Sequence, residues 1–150
     1  MRNNDMGTLF LIRGIPGSGK STMAHKIKHD LNVEHVYIFE ADDRFNKTGE
    51  YKFDASQLNQ AHKTCFNNTS EKLKHPDNVV IVSNTFTTLK ELKPYIELSK
   101  HCVIIEMVGN YGSIHGVPPE TMDRMRQRFV DKTTVLSKYP TVIYKMSNAF

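Results

Sequence analysis

Short runs of consecutive apolar residues alternate along this chain with stretches whose apolar residues recur at helical spacing. Leu9-Phe10-Leu11-Ile12, Val79-Val80-Ile81-Val82 and Cys102-Val103-Ile104-Ile105-Glu106-Met107-Val108 read as strands buried on both faces, and His35-Val36-Tyr37-Ile38-Phe39 reads as another. Met23, Ala24, Ile27 and Leu31 place one apolar face on a helix between the first two of these strands in chain order. Asp54-Ala55-Ser56-Gln57 has the form of a helix start. Leu58, Ala61, Cys65, Thr69 and Leu73 continue from it at helical spacing to about Lys74, before the break at Pro76-Asp77-Asn78. Leu89, Leu92 and Ile96 mark a further helix, expected to be strained or restarted at Pro94. Pro118-Pro119-Glu120 opens a last helix whose apolar face is Met122, Met125 and Phe129, and Pro140-Thr141-Val142-Ile143-Tyr144 reads as a final short strand.

Strands alternating with helices imply right-handed crossovers and an α/β domain, with a mainly parallel sheet covered on both faces. The 150 residues suit one domain, and no Pro-, Gly- or Ser-rich linker, internal repeat or low-complexity tract divides them. No apolar run is long enough to span a membrane, and Met1-Arg2-Asn3-Asn4-Asp5 lacks the apolar core of a secretion signal. Cys65 and Cys102 sit in apolar patterns and read as buried thiols, which fits a cytoplasmic chain; no Cys/His spacing suggests zinc. The net charge of +4 favours a phosphate-rich partner, ATP at least.

The chemistry centres on Gly14-Ile15-Pro16-Gly17-Ser18-Gly19-Lys20-Ser21, a full match to G-x-x-x-x-G-K-[ST] lying between a predicted strand and a predicted helix. Glycines let the backbone turn and bring its N–H groups against phosphate oxygens. The helix that starts near Gly19, with Lys20, Ser21 and Thr22 in its first turn, adds unpaired N–H groups and the positive end of its dipole. Lys20 is a charge for the β- and γ-phosphates, and the Ser21 hydroxyl is a Mg²⁺ ligand. The motif predicts a three-layer P-loop NTPase fold that binds ATP with Mg²⁺, and it does not say what receives the phosphate.

In such sheets ligands lie beyond the carboxyl ends of the strands. Asp42, Asp43 and Arg44 follow the second strand, where a carboxylate could take a proton from an attacking hydroxyl, hold a metal-bound water, or simply shape a turn. Ser83, Asn84 and Thr85 end the next strand. They could orient an acceptor or the metal shell, although no aspartate stands there to hold the metal. His115 lies in the glycine-containing stretch Gly109–Val117, and His62 shares a helical face with Leu58 as a core or pocket-wall histidine. Arg124 and Arg128 are i, i+4 on the last helix, with Arg126 between them; they are either its solvated side or cations for a phosphoryl group.

The order of strand, G-x-P-G-S-G-K-S, Asp42-Asp43, Ser83-Asn84-Thr85 and a lid followed by Gly116-Val117-Pro118 resembles the kinase domain of phage polynucleotide kinase. It resembles more closely the small eukaryotic and viral P-loop proteins related to that domain. These share Gly49-Glu50-Tyr51-Lys52-Phe53, Leu58, Ala61-His62, Lys93-Pro94-Tyr95 and Ile114-His115-Gly116-Val117. The resemblance runs from about Thr8 to Phe129 and implies a 5′-hydroxyl kinase that uses ATP and Mg²⁺, acting on DNA or RNA ends. Lys20 is then the phosphate-binding lysine, Ser21 the metal-ligand hydroxyl and Asp42 the general base. The chain differs from that family at Phe45, where the phage kinase has arginine, and at Phe86, where asparagine is usual. It differs again at Tyr111-Gly112-Ser113, where the lid carries one or two arginines. An active kinase would draw the missing charge from Arg124, Arg126, Arg128 or a lysine. A nucleotide-dependent switch or adaptor, or an ATPase without acceptor, would not need it.

Overall fold

The computed structural model describes residues 6–41, 58–109, 119–129, 135 and 142–146. The element order is β1 (Thr8–Arg13), α1 (Lys20–Leu31), β2 (Val36–Phe39), α2 (Leu58–Leu73), β3 (Val79–Asn84), α3 (Leu89–Ile96), β4 (Cys102–Met107), α4 (Pro119–Arg128) and β5 (Val142–Met146). The strands form one five-stranded sheet in the order β2-β3-β1-β4-β5, and every neighbouring pair is parallel. The predicted final strand is present, shifted to Val142–Met146 and paired along β4.

The continuous apolar runs follow from burial on both faces. Leu9, Leu11, Val80, Val82 and Ile104 point to one side, where Cys65 and Leu73 of α2 and Leu92, Tyr95 and Ile96 of α3 cover them. Ile12, Ile81, Ile105 and Met107 point to the other, beneath Met23 and Ala24 of α1. Each fully buried Leu or Ile contributes roughly 1.5–3 kcal/mol relative to exposure. Leu31 does not join this layer: it is 40% exposed, at the last residue of α1 before Asn32 closes the helix in a left-handed conformation. Cys65 and Cys102 are both buried. The Tyr95 phenol is held above its ordinary range by burial first and by Cys65 beside it second.

Three local features depart from the sequence pattern. α3 runs through Pro94 as one helix. Its start is fixed by Thr88, whose side chain accepts from the Glu91 amide, while Glu91 in turn accepts from the Thr87 amide and hydroxyl. Thr88 thus caps the helix and Glu91 reaches back to the residue before the cap, a variant of the capping box that anchors the first turn, and the single carbonyl bond lost to Pro94 does not break the helix. His62 is exposed and not a core residue, because the buried stripe of α2 is Ala61, Cys65, Thr69 and Leu73. At the end of β1, Arg13 is 1% exposed and Glu106 of β4 is 4% exposed, and the two form an ion pair of 2.7 Å. The Arg13 guanidinium also donates to the Phe86 carbonyl from Nε (3.1 Å) and Nη2 (2.8 Å), and its Cζ lies 3.7 Å from the centre of the Phe129 ring. Among the described residues, no helix is long and apolar enough to cross a membrane.

Candidate functional site

The segment between β1 and α1 is built as a phosphate cradle. Gly17 (φ 81°) and Gly19 (φ 98°) both occupy the left-handed region that favours glycine. The Ser18 amide donates to the Ile15 carbonyl across the turn (3.2 Å). At Gly14 the reason for glycine is close approach: a Cβ there would lie 2.3 Å from Ser18 Oγ and 2.8 Å from the Met107 carbonyl oxygen. The Gly14 amide donates to the Thr85 carbonyl (3.2 Å), which ties the start of the loop to the end of β3. Ser18 is fully buried inside the turn, and its hydroxyl has no hydrogen-bond partner among the described residues.

Gly19 caps α1 without any side-chain bond, and the first turn holds no acidic residue. The amides of a first turn with no side-chain cap can face an anion, with the helix dipole adding to their field. The Lys20 ammonium donates to the Ile15 carbonyl at 3.0 Å, which keeps its charge over the loop. Ser21 Oγ donates to Glu40 Oε1 at 2.8 Å, placing a carboxylate from the end of β2 directly on the proposed metal-ligand hydroxyl. Next to it, the Ala41 amide donates to Asn84 Oδ1 (2.8 Å), and Asn84 Nδ2 donates to Cys65 Sγ (3.7 Å). Both ends of the Asn84 amide are therefore used within the protein, and it holds β2 and β3 together at the carboxyl edge.

The structure thus brings together Gly14, Pro16, Gly17, Ser18, Gly19, Lys20, Ser21, Thr22, Asn84 and Thr85 at one edge of the sheet, joined by Glu40. Asp42, Asp43, Arg44 and His115 lie outside the described residues, as does the segment 110–118. On α4, the exposed Arg124 donates to Thr121 Oγ1 (3.2 Å) and the exposed Arg126 pairs with Asp123 (2.8 Å). These are surface contacts along the helix itself, of the kind that contribute little; the side chain of Arg128 is outside the description.

Glu40 and the Arg13–Glu106 pair are not singled out by the sequence reading. A signal for each exists. Glu40 stands two residues before Asp42 at a strand end beside a phosphate loop, and Arg13 and Glu106 are single charges next to or within apolar runs, where an ionised group needs a partner.

The residues present suit ATP with Mg²⁺. The cradle supplies amides, Lys20 supplies charge, and Ser21 with Glu40 supplies hard oxygen donors. Among the described residues no three His, Cys, Asp or Glu side chains gather as a metal cage. Mg²⁺ bound between phosphates and one or two carboxylates needs none. Replacing Lys20 by alanine is expected to weaken ATP binding by about 2 kcal/mol, roughly thirty-fold, with the fold kept. Isothermal calorimetry with circular dichroism checks this, and unchanged affinity would remove Lys20 from the phosphate site.

Comparison with known proteins agrees with this geometry. The family model described as an AAA domain matches residues 9–108. NEDD4-binding protein 2 of Homo sapiens is 34% identical over 145 residues; the match takes in 86% of this chain and 8% of that protein. Among solved structures, Chaetomium thermophilum Kti12 in complex with ADP-AlF3 superposes with a TM-score of 0.64 at 11% identity, covering 91% of this chain and 88% of that one. Shikimate kinase from Aquifex aeolicus gives a TM-score of 0.58 at 17% identity, covering 92% and 86%. At these identities the solved structures speak to the fold alone.

Proposed function

The chain belongs to the AAA-domain family of P-loop proteins, and on that premise we propose that it transfers the γ-phosphate of ATP to a hydroxyl group. The proposed acceptor is the 5′-hydroxyl of a DNA or RNA end, or a smaller nucleoside-like alcohol. Family and fold both support a P-loop kinase-like domain.

One observation supports transfer to a hydroxyl at this site. The end of β2 is fastened beside the phosphate loop twice, by Ser21 Oγ on Glu40 and by Asn84 on the Ala41 amide, and Asp42 is the next residue in the chain. In the proposed mechanism Asp42 takes the proton from the acceptor hydroxyl. The acceptor oxygen forms its bond to the γ-phosphorus as the bond from that phosphorus to the β–γ bridging oxygen breaks, leaving ADP and a phosphorylated acceptor. Lys20 and the loop amides hold the phosphates throughout. When bound at Ser21, Mg²⁺ supplies neutralisation of phosphate charge. Arg124 and Arg128 belong to the same proposal as cations for the moving group. Arg124 would give up only an exposed bond to Thr121 to serve.

Labelled ATP offered to DNA ends, RNA ends and nucleosides tests the acceptor. For a strand end, binding is expected to weaken as salt rises, with a shallow slope reflecting a few phosphate contacts, since the net charge is only +4. Binding that is flat with salt would move the acceptor to a small uncharged alcohol. Tight ATP binding with neither transfer nor hydrolysis would favour the switch or adaptor reading, which the arginine-free Tyr111-Gly112-Ser113 motivates. A cytoplasmic setting is part of the same proposal.

A further inference from the structure

Mg²⁺ sites beside a phosphate loop need an acidic partner for the loop hydroxyl, and the end of β3 does not supply one. Ser83, Asn84 and Thr85 stand there, and the Asn84 amide is taken up by the Ala41 amide on one side and Cys65 Sγ on the other. The carboxylate that does meet Ser21 comes from a different strand. We propose that Glu40, at the end of β2, is the acidic member of the divalent-cation shell and acts on the cation through the Ser21 hydroxyl. This rests on the reading of the loop as an ATP site.

A serine hydroxyl has one proton and two lone pairs. With its proton donated to Glu40 Oε1 at 2.8 Å, the lone pairs of Ser21 are turned away from the carboxylate and available to a cation. A carboxylate behind the hydroxyl makes it a better electron donor to a divalent ion, the way carboxylates support metal ligands elsewhere. The arrangement is held from both sides. Ser21 sits in the first turn of α1, and the residue after Glu40 is clamped by Asn84 through its amide. Glu40 is only partly exposed, so its charge is not fully screened by water. Among the described residues, Lys20 adds a positive charge over the loop and the first turn of α1 holds no acidic residue. Placed behind the Ser21 hydroxyl, the Glu40 carboxylate favours a cation there, and the cation in turn offsets its repulsion of the phosphates held by Lys20.

The test is ADP binding by calorimetry, in excess Mg²⁺ and again in EDTA, for wild type, Glu40→Gln and Glu40→Asp. The quantity read is the factor by which Mg²⁺ tightens ADP. Glu40→Gln keeps the shape and can still accept from Ser21 but lacks the charge. It should lower that factor by about tenfold or more, within the roughly 10–100-fold range typical of groups that support metal ligands. Affinity in EDTA should be kept or slightly raised, because a negative charge near the phosphates is gone. Glu40→Asp should retain more of the factor than Glu40→Gln. Mn²⁺ electron paramagnetic resonance of the ADP complex gives a second readout, with weaker retention of the ion expected in Glu40→Gln. An unchanged factor overturns the proposal, and so does an equal loss in Mg²⁺ and in EDTA, which would make Glu40 a structural support of the loop. Lys20→Ala separates the two levels: ADP affinity unmoved by that change would refute the nucleotide site itself, whatever Glu40 does.

Discussion

Replacing Asp42 by asparagine is expected to lower phosphate transfer by a factor of about 10²–10⁴, the usual contribution of a general base, while leaving ATP affinity nearly unchanged. Asparagine keeps the size and most of the hydrogen bonding of aspartate but cannot take a proton. As a base Asp42 has a use in transfer and little in holding ATP, whose phosphates a carboxylate repels unless Mg²⁺ lies between them. The Glu40 and Ala41 contacts tie the chain immediately before Asp42 to α1 and β3. Asp43→Asn is the matched control and should have a smaller effect. Transfer to a 5′-hydroxyl oligonucleotide, run beside ATP calorimetry on the same variants, makes the measurement. Equal transfer by wild type and Asp42→Asn would show that Asp42 is not the base.

The largest effect on stability is expected at the Arg13–Glu106 pair. Both side chains are buried, so removing Glu106 takes from the guanidinium its 2.7 Å ion-pair partner inside the protein, and breaking a buried pair typically costs about 3–5 kcal/mol. Glu106→Met, close to glutamate in volume, should lose that much in urea unfolding, corresponding to a melting temperature lowered by roughly 10 °C for a chain of this size. Arg13→Met combined with Glu106→Met should recover the larger part of the loss, because no charge is then stranded. Recovery stops short of wild type: the Phe86 carbonyl loses both its donors, and leaving a buried acceptor unmet costs about 1–3 kcal/mol. A loss below about 1 kcal/mol for Glu106→Met alone would mean that water reaches the guanidinium.

The strands and most helices are legible in the sequence because a parallel sheet covered on both faces demands continuous apolar runs, and the helices demand apolar residues three and four apart. The phosphate loop is legible because backbone approach to phosphate requires glycine at fixed places, as Gly14, Gly17 and Gly19 show. What is not legible depends on partners distant in the chain. Arg13 and Glu106 stand 93 positions apart, and nothing local to either names the other. His62 follows Leu58 by one helical turn, yet the stripe that faces the sheet is set by Ala61, Cys65 and Thr69, and His62 falls outside it. Phe86 is the strongest case. It sits at φ 47°, a region that disfavours a bulky side chain and suits asparagine. The left-handed conformation costs roughly 1–2 kcal/mol. Burial of the ring edge-on against Tyr95 (5.2 Å between centroids) and the two bonds from Arg13 to its carbonyl offset that cost. None of those compensations can be read from the residue itself.

The strand order also decides when the domain can come into being. β1 carries the phosphate loop and occupies the middle of the sheet, yet it is made first, and its neighbours on both sides are β3 and β4. Arg13 meets Phe86 and Glu106 only after 73 and 93 further positions of chain have been made. As the chain is synthesised, β1 and α1 therefore emerge long before either partner strand, with an apolar ladder that has nothing to pair with. Non-local parallel pairing of this kind delays closure, since the loop entropy is spent before the contacts reward it. The nucleotide cradle, fastened to Thr85 and packed on Met107, thus becomes a working shape only once β4 has docked, which makes it a late event of folding although it lies near the start of the sequence.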